Sequence, residues 1–270
     1  MATTKKTKKA PAMTTTPTAA PTAAPTAEHL AQPAPGAPGA LTAPPAPAEN
    51  KDMFLRQRGL VNMDRLAKLP ITIIGAGAIG SGALLALAQM GARDITIYDN
   101  DKLEIHNISN QIYPQSYVGK SKVEAARDFI ELMYGFKIKI VEGLYDGKCK
   151  GGVIVSGVDS MASRKVIWEL VKVHQDAVLY VDARMGALNF VIYNEMMVKL
   201  NHDEYERTLV DDTMTLDLPC TARSIGFNVM VIGGYIASQV RNYLARQQMP
   251  PSVSFDMATN EFAKTEHSKL

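Results

Sequence analysis

The sequence predicts an α/β fold: a doubly wound, mainly parallel sheet with an antiparallel extension, preceded by a disordered N-terminal tail. Three observations carry this expectation. Short apolar runs, "ITII", "DITIY", "GVIVS" and "AVLYV", alternate with stretches of helical spacing. The first run opens onto the glycines Gly75, Gly77 and Gly80 of "IIGAGAIGSG", which lead straight into an apolar helix. The second run ends on Asp99, at the sequence distance where an acidic side chain meets a ribose hydroxyl. Strand, tight turn, helix, strand and acid in that order describe a Rossmann-like nucleotide-binding unit.

Residues 1 to about 50 are dominated by Thr, Ala and Pro and contain no aromatic residue, so they read as a disordered tail over 1–51 that serves as tether or spacer. "MFLRQRGLVNMDRLAKLP" spaces its apolar residues for one or two short helices, closed by Pro70. After Asp99 a polar connection leads to a helix from about Lys122 to Met133, and "KIKIVEG" is a third strand. "GGVIVSGVD" reads as a strand ending on Asp159, "SRKVIWELVKVHQ" as the next helix and "AVLYVDAR" as the next strand. "LNFVIYNEMMVKL" suggests the antiparallel extension, and "FNVMVIGGYIASQVRNYLAR" a mainly apolar helix. The main domain is placed at 52–248, and 249–270 reads as a poorly packed end or short edge segment.

With 270 residues, 46% hydrophobic and 21% charged, the chain can bury one substantial core. A net charge of +2 gives no reason to expect a nucleic-acid or membrane partner, and Lys5, Lys6, Lys8 and Lys9 read as a solvated cluster. Residues 71–92 carry no charge, but three glycines and a strand-to-helix switch fit a buried parallel strand and its helix better than a membrane span. Cys149 and Cys220 lie far apart and form no CxxC pair, which argues against a disulfide framework and a thiolate zinc site. A reducing cytoplasm is the expected compartment.

The glycine turn alone suits NAD or ATP. A thiolate near a helix start and near Arg223 would have its charged form favoured, so Cys220 is a candidate nucleophile, against the alternative of a small buried thiol. Read singly, Lys122 is a lysine at a helix start, Arg56 an exposed side chain and Asp159 a helix N-cap.

In their joint order these residues resemble the ubiquitin-activating enzyme superfamily, especially its ThiF/MoeB/HesA-type adenylyltransferases. The likeness covers about residues 53–245. The glycine turn matches that family's ATP loop, and "YDNDKLEIHNISNQ" resembles its D-x-D, N-x-x-R-Q segment. "GKSKVEAA" resembles G-x-x-K-V-E-x-A, "GVDSMASR" resembles D-N-x-x-x-R, and "FLRQ" resembles Y-x-R-Q. "LPCTARS" resembles the P-x-C-T-x-R stretch around the thioester cysteine of the eukaryotic members.

The resemblance implies ATP and Mg2+ as cofactors, with adenylation of the C-terminal carboxylate of a ubiquitin-like protein or peptide ending in Gly-Gly. It implies that Asp99 holds the ribose, Asn107 and Gln111 belong to the nucleotide site, and Lys122 contacts phosphate. Asp159 would lie at the metal, Arg56 would reach the partner's site in a homodimer, and Cys220 would accept the acyl group. Two positions depart from the pattern: Asn110 stands in place of an arginine and Ser160 in place of an asparagine. The zinc cysteines of many relatives are missing, so no structural zinc is expected. The rival expectations are an NAD-dependent oxidoreductase, for which neither His106 nor His174 shows an evident partner in sequence, and a catalytically degenerate binding module.

Overall fold

A computed structural model describes residues 53–199, 201–210 and 225–266. The tail and Cys220 and Arg223 lie outside the described residues. A 3-10 turn, Leu55–Gln57, precedes α1 (Met63–Lys68), whose N-cap Asn62 accepts the Arg65 N–H. Pro70 ends that segment and β1 (Ile71–Ile74) begins, buried on both faces as the apolar run requires.

From β1 the chain enters α2 (Ala78–Met90), then β2 (Ile95–Asp99), α3 (Lys122–Tyr134) and β3 (Lys139–Glu142). Gly91 and Gly135, both in the left-handed region, stop α2 and α3. Ser121 starts α3 by accepting the Glu124 N–H. The second half runs through β4 (Gly152–Ser156), α4 (Met161–Val171), β5 (Ala177–Met185) and β6 (Asn189–Met196). It ends with α5 (Asp203–Glu206), α6 (Gly226–Leu244), β7 (Ser252–Asp256) and β8 (Glu261–Lys264).

Among the described residues the eight strands join one sheet in the order β3-β2-β1-β4-β5-β6-β7-β8. The pairs from β3 to β5 are parallel, and those from β5 to β8 antiparallel. Ile71, Ile73, Val153, Val155, Leu179 and Val181 turn to a core shared with α2, α3 and α6. Ile74, Tyr98, Ile154 and Tyr180 turn the other way, against Ile167, Trp168 and Val171 of α4 and Tyr205 of α5. Helices on both faces confirm the doubly wound architecture. Crossing α2 and α6 touch through glycines: a Cβ on Gly233 would fall 2.5 Å from the Gly82 carbonyl carbon.

One expectation needs correction. The strand β4 stops at Ser156, so Asp159 sits in the loop beyond it rather than on its end. The C-terminal region supplies the short edge segment expected of it, with β8 the exposed outer strand of the sheet, while β7 pairs with β6, and Met249 and Val253 are buried. Its "SVSFD" alternation is a half-buried strand signal that the short length of the segment concealed.

Candidate active site

Sheet order reverses between β1 and β4, the two strands that lead in opposite directions across the sheet, and this is where doubly wound folds open a crevice at their carboxyl ends. Here Ile74 pairs with Ser156, so the loops after β1 and β4 lie side by side. The Gly157 N–H donates to the Ile74 carbonyl at 2.9 Å.

The three glycines do different work. Gly75 has φ +93°, and a Cβ there would meet the Gly157 carbonyl oxygen at 3.1 Å. A Cβ on Gly80 would fall 1.7 Å from the Gly75 carbonyl oxygen, so only glycine lets α2 pack this close to β1. At Gly77 a Cβ would meet nothing within 4 Å. Nothing among the described residues requires glycine there, whereas a phosphate approaching the backbone would. Gly77 is also the N-cap of α2 and offers no capping side chain, which leaves the first-turn N–H groups for an anion.

Asp99 clamps this turn. Its Oδ2 accepts the Ala76 N–H at 2.6 Å and its Oδ1 accepts the Asp101 N–H at 2.8 Å. Each carboxylate oxygen keeps a second lone pair, the capacity a ribose hydroxyl would use. From the other side the buried Tyr113 hydroxyl donates to the Ala76 carbonyl at 3.0 Å. Burial pushes that phenol well above its usual range, so it stays a donor.

Lys122 is not the solvated lysine its position at a helix start suggests. Its side chain is 11% exposed, and Nζ donates to Asp101 Oδ2 at 2.6 Å. Its own N–H donates to the Asp101 carbonyl, so one residue holds both ends of the lysine beside the Asp99 loop. Gln111 sits half-buried with Oε1 shielded from solvent and without a hydrogen-bond partner among the described residues. It borders a cleft of about 360 Å³ between residues 108–111 and the start of α6. Asn107, by contrast, caps its own 3-10 turn, with Oδ1 accepting the Glu104 N–H at 3.0 Å. That local role accounts for the asparagine without a nucleotide.

Asp159 is exposed in the β4–α4 loop and is not the helix cap. Ser160 is: its Oγ accepts the Ser163 N–H at 3.1 Å. The serine that departs from the family pattern therefore has a structural task. Among the described residues no group of three His, Cys, Asp or Glu side chains could hold a metal ion. One exposed carboxylate next to an anion-binding turn is nonetheless the donor set Mg2+ uses when substrate phosphates and water complete its shell.

The structure does not bring Arg56 to this crevice. Arg56 is exposed in the first 3-10 turn, whose neighbour Gln57 donates to the Gln89 carbonyl at 2.9 Å. Gln89 lies at the far end of α2, about 18 Å along the helix from Gly77. The two histidines have partners after all: His106 pairs with Glu104 at 3.4 Å, and His174 faces the Cys149 carbonyl at 3.3 Å.

Sequence reasoning passed over three residues that build the site. Asp101 lay inside the quoted D-x-D segment and Arg164 closes the D-N-x-x-x-R segment, but neither received a task. Arg164 and Asp182 form a buried ion pair behind the Asp159 loop. Asp182 was legible as a charge interrupting an apolar strand.

Crevice, glycine turn and an acid closing β2 together define a Rossmann-like α/β domain. The chain belongs to the ThiF family, which matches residues 50–269. Among curated proteins it is similar to the adenylyltransferase and sulfurtransferase MOCS3-1 of Zea mays, 30% identical over 138 residues that make up 48% of this chain and 29% of that one. It is also similar to a probable molybdopterin-synthase adenylyltransferase of Porphyra purpurea, 29% identical over 52% of this chain and 40% of that one. Ubiquitin-like modifier-activating enzyme 5 of Caenorhabditis briggsae is 26% identical over 71% of this chain and 50% of its own length. The matches thus span half or less of these relatives. Among solved structures, E. coli MccB with ATP superposes with a TM-score of 0.61 at 17% identity, covering 82% of this chain and 73% of that one. That likeness shows the shared fold.

Proposed function

We propose that the chain is an ATP-dependent adenylyltransferase that activates the C-terminal carboxylate of a ubiquitin-like protein or a peptide. The observation that carries the reading is the pairing of an open-faced Gly77 turn with Lys122, held on Asp101 beside Asp99. A hydride-transfer site needs no such lysine.

In this reading the α2 N-terminus and Gly77 receive phosphate oxygens, Asp99 orients the ribose and Lys122 offsets phosphoryl charge. The substrate carboxylate attacks the α-phosphorus, a P–O bond forms, and the bond to pyrophosphate breaks, leaving an acyl adenylate. Charge develops on phosphoryl oxygens, so catalysis is mainly positioning and neutralisation. Asp159 would hold Mg2+, which supplies further positive charge when bound. The exposed Arg56, remote from its own crevice, is free to serve the site of a second subunit, which supports a homodimer. Cys220 would then attack the acyl carbonyl as thiolate, releasing AMP and forming a thioester. A C-terminal Gly-Gly, with no side chains to obstruct a narrow approach, is the proposed substrate end.

Radiolabelled pyrophosphate exchange into ATP, run with candidate Gly-Gly-ended proteins and peptides, tests this. Exchange should fall on the order of 100-fold in Asp159→Ala. Exchange indifferent to that change contradicts the assigned site.

A further inference from the structure

Behind the Asp159 loop lies a buried charge network that the proposed chemistry does not use. Asp182, inside β5 and level with Ser156 at the end of β4, is fully buried. One of its oxygens accepts from Arg164, and the other from Arg184 Nε at 2.8 Å and the Tyr205 hydroxyl at 3.1 Å. Arg164, one turn into α4, folds back toward the start of its helix and also donates to the Val158 carbonyl. Arg184 donates onward to the Thr208 carbonyl and hydroxyl, both at 2.9 Å, and stacks on Tyr193.

One carboxylate therefore touches two separate pieces of chain. Through Arg164 it holds the carbonyl immediately before Asp159, while Gly157 and Ser160 are fixed by the Ile74 carbonyl and the α4 cap. Through Arg184 and Tyr205 it docks the segment 205–208. The sole tryptophan, Trp168, reports on that segment: it packs edge-on against Tyr205 at 4.8 Å and donates to Glu206 at 2.8 Å.

We propose that Asp182 is a positioning residue for the Asp159 loop, acting through Arg164, and that through Arg184 and Tyr205 it makes nucleotide binding at that loop detectable at Trp168. Two guanidiniums and a hydroxyl sharing one buried carboxylate fix directions that apolar packing would leave soft. The inference rests on the adenylating role assigned to the crevice, and its test separates the two claims.

Amide hydrogen exchange of the full chain without nucleotide is compared for wild type, Asp182→Asn and Arg164→Lys. The lysine variant keeps the charge but loses the forked reach, and it carries the test if the asparagine variant fails to fold. Exchange should quicken at least about tenfold at Gly157 and Ser163, whose N–H groups are held by the Ile74 carbonyl and the Ser160 hydroxyl on either side of Asp159, and in Asp182→Asn also at 206–208, with the β1 amides unchanged. Unchanged exchange at Gly157 and Ser163 overturns the proposal. Titration with Mg-ATP, followed by calorimetry and by Trp168 emission, supplies the second arm. Asp182→Asn and Asp159→Ala should each cost about tenfold in Mg-dependent affinity, and the double variant should cost no more than either, because both remove one interaction. Losses that multiply, or an emission spectrum that ATP leaves unmoved in the wild type, overturn it. If wild type binds no ATP, the proposed function falls, while the exchange arm still decides the positioning claim.

Discussion

Gly77 and Gly80 stand three residues apart in one turn and answer different questions. A methyl at position 80 drives into a backbone carbonyl, so Gly80→Ala should cost about 3 kcal/mol or more. A methyl at position 77 meets no atom of the described residues within 4 Å. Gly77→Ala should therefore melt within about 2–4 °C of wild type, the scale of 1 kcal/mol, yet bind ATP on the order of tenfold more weakly, about 1.4 kcal/mol. Thermal melts and calorimetry on the pair check this; equal losses of fold at both positions would show Gly77 to be structural. The glycines were legible in sequence because a phosphate turn has a spacing. Their division of labour was not, because it depends on which carbonyl each Cα faces. Asn107 shows the same limit: a motif position matched, and the side chain turned out to cap its own backbone.

At the scale of elements, the strands and helices followed from period and punctuation. What escaped was set by pairing partners distant in sequence. The β7 strand exists because β6 offers it an edge, and Asp182 is buried because Arg164 and Arg184 converge on it from α4 and β5. A third case lies at the opposite end of the sheet. Asp94, in the turn before β2, accepts from Lys139 at 2.7 Å and from Lys150 at 3.1 Å, tying β2, β3 and the approach to β4. The Lys139 hydrogen bond, against the opposing effect of burial, holds the Asp94 carboxyl below its ordinary value of 3.8. Because the folded value is depressed, the stabilisation is present above pH 3.8 and lost as pH falls through the folded value. Asp94→Asn should lower stability by no more than about 1 kcal/mol at neutral pH. In denaturant titrations the difference should close below about pH 4; a gap that persists in acid would contradict the ionic account.

For the whole molecule, the crevice between β1 and β4 collects residues from three loops, those after β1, β2 and β4, and among the described residues Arg56 lies away from it. The Rossmann-like unit was legible from residues 71–99 alone; the proposal of ATP over NAD drew on the resemblance and not on spacing. If Arg56 crosses a dimer interface, mixing Arg56→Ala and Asp159→Ala subunits in equal amounts should restore about a quarter of wild-type exchange, since half the dimers then carry one complete site. Mixtures as inactive as their components would mean each subunit completes its own site. The most direct measurement is calorimetric titration of the protein with Mg-ATP and, separately, with NAD, each repeated on Asp159→Ala. The account predicts that ATP binds, that its affinity falls about tenfold in the variant, and that NAD binds more weakly than ATP. Binding of NAD alone, or ATP binding that ignores Asp159, would contradict it.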